Sequence, residues 1–132
     1  MDLKILQIAS NTENNKIVKN HTHSAKFKNP ICGDEMEISL NVKDEKILDF
    51  GYQCKSCVYC QASVSLLSIN AINKSIINLK SLLNIVEKFF IDENIVFPKE
   101  WNVFKKIFDK KNISRKECLL LPLRTVLKAL KT

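Results

Sequence analysis

Glycine and proline are scarce: the chain has two glycines and three prolines. That excludes a collagen-like repeat and a Pro/Gly-rich disordered chain. No stretch approaches the roughly 18 uninterrupted apolar residues of a membrane span. Met1-Asp2-Leu3-Lys4 lacks the charged-then-apolar build of a secretory signal, so the expectation is a soluble, cytoplasmic protein with no membrane partner. Also missing is an arginine-rich or aromatic-interleaved basic run. The net charge of +7 comes from 21 Lys+Arg against 14 Asp+Glu. The lysines scatter from Lys4 to Lys131, with short pairs at Lys105-Lys106 and Lys110-Lys111. Specific nucleic-acid binding is therefore not expected, and a basic face for an acidic protein partner suits the pattern at least as well. No general acid–base pair or nucleophilic triad is visible, so the chain does not read as an independent enzyme.

What is present supports one domain over 1–132, with 45% apolar residues to fill a single core. Residues 1–28 are the least legible. Leu3, Ile5, Leu6 and Ile8 suit a short helix and Asn11–Asn15 a loop; His21 and His23 form an H-x-H pair with the chemistry to bind a metal, but a polar loop is the better reading. Met36, Ile38, Leu40 and Val42 alternate with polar residues. After the polar turn Lys43–Lys46, Leu48, Phe50 and Tyr52 alternate again, which predicts an antiparallel hairpin.

The period then lengthens. Tyr59, Ala62, Leu66, Ile69, Asn73 and Ile76 predict a helix over about 58–78. Ser81 is placed to cap a second helix bearing Leu82, Ile85, Val86 and Phe89. Pro98 suits the first position of a third, bearing Trp101, Phe104 and Phe108. Ser114-x-x-Glu117 has capping-box spacing for a last helix with Leu119, Leu123, Val126, Leu127 and Leu130. Pro122 would cost about 3 kcal/mol in that helix's interior, so a start near Leu121 is the alternative. The fold class is α+β, a small antiparallel sheet packed by several helices.

The five cysteines fall in three places. Cys32 lies in Asn29-Pro30-Ile31-Cys32-Gly33-Asp34, Cys54, Cys57 and Cys60 form a C-x-x-C-x-x-C run, and Cys118 stands alone. In a reducing compartment such thiols serve metal or sulfur chemistry rather than disulfides, and an odd count leaves one unpaired in any disulfide scheme. Cys57, Cys60 and Cys118 sit near expected helix starts, where backbone N–H groups favour thiolate. Zinc takes four Cys, His or Asp/Glu ligands, and iron–sulfur clusters are held mainly by thiolates. The run matches the first three ligands of a ferredoxin, but Val64 stands where the fourth would be.

Asn29–Asp34, then Asp49 ahead of Cys57, Ala62-Ser63-Val64-Ser65 after it, and Arg115-x-x-Cys118-x-x-Leu121-Pro122 together resemble the IscU/SufU/NifU-N scaffold family over roughly residues 29–130. The Arg-x-x-Cys-x-x-Leu-Pro ending leans toward the SufU branch. The resemblance implies a small antiparallel sheet with helices, and a site of Cys32, Asp34, Cys57 and Cys118. It implies persulfide sulfur taken from a cysteine desulfurase, with Cys32 or Cys118 as acceptor. It implies a transient [2Fe–2S] cluster or bound zinc, and handover to apo iron–sulfur proteins. The sequence departs from the family pattern at Ser56, usually Gly, at the extra thiols Cys54 and Cys60, and in the N-terminal segment. The Leu-Pro-Pro-Val-Lys chaperone motif is absent. Glu117 precedes the last cysteine, as a capping residue or an added oxygen ligand. Two other readings remain open: a permanent cluster on Cys54, Cys57 and Cys60 with Cys32 or Cys118 for electron transfer, and a zinc-stabilised structural domain that binds a partner.

Overall fold

The computed structural model describes residues 3–92 and 94–131. The elements are α1 (Leu3–Ala9), β1 (His23–Lys28), β2 (Glu35–Lys43), β3 (Lys46–Lys55), α2 (Val58–Ala71), α3 (Ile76–Phe89) and α4 (Lys116–Leu130), with two 3-10 segments, Lys99–Lys106 and Lys110–Arg115, before α4. The strands form one antiparallel sheet in the order β1-β2-β3. The architecture is thus α+β, as the periodicities indicate. No helix among the described residues is long and apolar enough to cross a membrane.

The β2–β3 hairpin turns on two residues. Asp44 and Glu45 both take positive φ (53° and 63°), as a twisted two-residue hairpin loop requires. Asn41 pairs with Asp49 and Val42 with Ile47, so Leu48 is the extra residue of a bulge. This corrects the simple alternation: Ile47 and Phe50 face the core, while Leu48 is exposed. The strand β1 was not foreseen. Its His23 is half-buried and its side-chain Nδ1 meets Thr22 Oγ1 at 2.8 Å, while His21 is exposed.

Helices α2 and α4 pack on each other and on the sheet, and α1 packs on α2. The opposite side of the sheet is crossed by the segment after α1. Val18 N donates to Ser39 Oγ at 2.9 Å, and Asn14 O accepts from Tyr52 N at 3.1 Å. Gly51 lies beneath this segment, where a Cβ would run into the Lys16 carbonyl oxygen.

The single helix expected over 58–78 is two. Asn73 turns the chain with φ of 69°. Ser75, not Ser81, caps α3, accepting from Asn78 N at 3.1 Å. α2 is buried on nearly all sides, whereas Ile69, assigned to its inner stripe, is 38% exposed. Pro98 is the N-cap of a 3-10 segment rather than the first residue of an α-helix, although Trp101, Phe104 and Phe108 are buried as expected.

The capping box does not form. Arg115 is the N-cap of α4 without a side-chain bond, because Ser114 is still in the preceding 3-10 segment. Pro122 sits inside α4, not in its first turn. It cannot donate to the Cys118 carbonyl, so the helix omits that one bond next to the cysteine.

Candidate metal and sulfur site

The sheet register gathers the site at one end of the molecule. Glu35 pairs with Lys55 and Met36 with Cys54. Asp34 therefore precedes β2 beside Ser56 and Cys57, which follow β3. Cys57 is the N-cap of α2. Cys118 lies in the first turn of α4, and that turn is tied to α2 by Ser63 Oγ donating to Leu119 O at 2.7 Å.

The Asn29–Asp34 loop is closed from within. Asn29 N donates to Asp34 O at 2.9 Å, and Gly33 N to Asn29 O at 2.8 Å. Asn29 Oδ1 accepts from Ile31 N (2.8 Å) and Cys32 N (3.3 Å), the side-chain turn that asparagine before proline favours. Gly33 takes φ of 77°, a value that glycine adopts without strain. The loop exposes Cys32 and half-buries Asp34.

The Cys32 and Cys118 sulfurs and an Asp34 carboxylate oxygen all lie within 4.8 Å of one another. Donors bound tetrahedrally to one ion at about 2.3 Å sit about 3.8 Å apart, so this set reaches a coordination shell by closing up to about 1 Å. Asp34 Oδ2 also accepts from Cys57 N at 3.2 Å, joining the loop to the start of α2. Cys57 stands outside the tight set, but its thiol neighbours that of Cys118. Burial raises the Cys118 thiol well above the usual range. The Cys57 thiol, through hydrogen bonding and charge, and the Cys32 and Asp34 charges push the same way. A cation at this point would relieve that crowding of negative charge.

The extra thiols are not part of this set. Cys60 is wholly buried in the core, and burial pushes its thiol far up despite the Ser56 hydroxyl, which acts in the opposite direction. Cys54 is half-buried and also raised, first by burial. The Ser56 hydroxyl beside both is buried. Glu117 is not in the set either. Its carboxylate accepts from Asn29 Nδ2 at 3.3 Å and pairs with Arg124, which also holds Glu87 at 2.8 Å. Burial raises Glu117, but Arg124, Asn29 and Lys116 outweigh it and hold the carboxyl below the ordinary range. Sequence reasoning missed Asn29 and Arg124; the Asn29-Pro30 turn signal was the available clue.

The NifU-like N terminal domain family matches residues 2–94. The chain belongs to this family. The match takes in the N-terminal segment as well as Cys32, Asp34 and Cys57, and stops before Cys118. The chain is 34% identical over 104 residues, 79% of its length and 73% of the relative's, to an iron–sulfur cluster assembly scaffold protein IscU from Thermotoga maritima. Its fold superposes on the N-terminal part of a nitrogen-fixing NifU-like protein from Brucella abortus (TM-score 0.90, 20% identity, 98% and 91% of the two chains). It also superposes on a SUF-system scaffold protein from Fervidobacterium islandicum (TM-score 0.82, 24% identity, 98% and 96%).

Proposed function

We propose that this protein is an iron–sulfur cluster assembly scaffold or sulfur acceptor that receives persulfide sulfur from a cysteine desulfurase. Cys32, Asp34, Cys57 and Cys118 hold iron, zinc or the growing cluster, in a reducing, cytoplasmic setting that keeps the thiols free. The observation that carries this reading is the convergence of Cys32, Asp34 and Cys118, 86 positions apart along the chain at their extremes, to within 4.8 Å. The Thermotoga relative, itself described as such a scaffold, supports it.

The chemistry follows from the donors. In sulfur transfer an acceptor thiolate attacks the terminal sulfur of the desulfurase persulfide. A new S–S bond forms, the old one breaks, and the desulfurase cysteine leaves as thiolate. Exposure of Cys32 on its loop supports it as the first acceptor, since Cys118 is 6% exposed. Asp34 is a harder donor than the thiolates around it and exchanges more readily, which favours release of the cargo to an apo iron–sulfur protein. The protein acts as a carrier, not a free-standing enzyme.

A permanent cluster on Cys54, Cys57 and Cys60 draws less support, because Cys60 is wholly buried in the core. Anaerobic purification with iron, zinc and acid-labile sulfide analysis tests the proposal. Loss of bound metal in Cys118→Ser and retention in Cys60→Ser support it; the reverse pattern overturns it.

A further inference from the structure

Asn29 is 2% exposed and both polar atoms of its side chain are hydrogen-bonded. Its oxygen collects the Ile31 and Cys32 amides, and its nitrogen donates to Glu117. One end of this amide therefore shapes the turn that carries Cys32. The other end grips the residue next to Cys118. Beyond Glu117 the chain of contacts continues through Arg124, with Nε and Nη2 donating to the Glu87 carboxylate at 2.8 and 3.1 Å. Glu87 lies on α3 and Arg124 on α4, so the network is anchored on two packed helices.

We propose that Asn29 and Glu117 are positioning residues that set the separation of the Cys32 and Cys118 sulfurs, with Arg124 holding the Glu117 carboxylate away from the metal. The inference rests on the metal-site reading above. It gives Glu117 a role other than ligand or helix cap. A carboxylate adjacent to Cys118 would compete as an oxygen donor if it were free. Two hydrogen-bond partners and the Arg124 charge occupy it instead. Ligand-orienting contacts of this kind are typically worth 10–100-fold in metal affinity.

The polarity of the Asn29–Glu117 contact makes a swap test possible. Asn29→Asp keeps an oxygen for the Ile31 and Cys32 amides but sets a carboxylate against Glu117. Asn29 Nδ2 and Arg124 Nη1 both donate to Glu117 Oε2, so adding Glu117→Gln restores the contact by turning the new amide, its nitrogen toward the new carboxylate and its oxygen toward Arg124. The probes are Co(II), whose thiolate charge-transfer absorption reports how many cysteines bind, and Zn(II) affinity by chelator competition. The urea midpoint of each apoprotein is measured alongside.

Asn29→Asp is expected to lower Zn(II) affinity about 10–100-fold and to weaken the charge-transfer band per bound Co(II). The double variant is expected to recover both largely. Unchanged affinity and band in Asn29→Asp would overturn the inference, as would a double variant no better than the single. A lower urea midpoint with a normal band in the folded protein would also overturn it, since the contact would then be structural only. If Asn29→Asp does not fold, Glu117→Ala alone serves, since it removes the acceptor that Asn29 and Arg124 share, with a drop in the same two readouts expected and no drop contradicting. Should the unaltered protein bind neither Co(II) nor Zn(II), the site reading itself fails, a result distinct from a failed swap.

Discussion

Asp34 Oδ2 accepts a hydrogen bond from the backbone N–H of Cys57 at 3.2 Å, bridging the loop before β2 and the start of α2. One carboxylate thus serves two ends: it offers an oxygen to the Cys32–Cys118 set and fixes the chain at Cys57. Asp34→Asn keeps an acceptor for that N–H, whereas Asp34→Ala does not. Both are expected to lose metal affinity. Only Asp34→Ala should lose about 1 kcal/mol of apoprotein stability as well. Urea titration of the two variants checks the distinction.

Gly51 is a stability position remote from the site. A Cβ there would run into the Lys16 backbone carbonyl, which cannot rotate away like a side chain. Gly51→Ala is expected to cost about 1–3 kcal/mol and to leave metal stoichiometry per folded chain unchanged. Thermal unfolding with metal analysis reads both.

Cys60 behaves as a core residue. Cys60→Ala removes a buried sulfur and leaves a small cavity, for about 1 kcal/mol. Bound metal should be the same as in the unaltered protein. A loss of metal from the folded variant would return Cys60 to the ligand set.

Tyr52 supplies a pH dependence. Burial, with the charges of Cys54 and Glu13, raises its phenol above the ordinary value of 10.0. The folded state therefore keeps its proton where the unfolded chain has lost it. The stability tied to that phenol is intact below pH about 10 and falls as pH rises through the folded value. Tyr52→Phe should flatten this part of the profile, and urea midpoints of both proteins from pH 8 to 11 measure the difference.

Much of this fold is legible in local patterns, and the exceptions have identifiable causes. The β2–β3 hairpin shows in its alternation, yet one bulge at Leu48 inverts which of Ile47 and Leu48 is buried. The α2–α3 break was hidden because apolar spacing continues across Asn73, whose left-handed turn ends one helix while Ser75 begins the next. Strand β1 is short and half-buried, and it takes its place from pairing with β2 rather than from its own pattern.

At the site, Cys32, Asp34, Cys57 and Cys118 were readable as a resemblance. Their proximity depends on register and on the packing of α4 against α2, which spacing does not encode. Asn29 and Arg124 act through tertiary contacts 88 and 37 positions away in sequence. A capping-box pattern pointed Glu117 elsewhere.

On the scaffold function proposed above, cargo held by Cys32, Asp34 and Cys118 leaves readily. The protein is loaded anaerobically with iron, cysteine and a cysteine desulfurase, then mixed with an apo-ferredoxin and a chelator while absorbance and acid-labile sulfide are followed. The expected result is iron and sulfide bound to this chain and passed to the ferredoxin faster than free iron and sulfide rebuild a cluster there. A cluster that stays on this chain in the presence of both the chelator and the ferredoxin would contradict it.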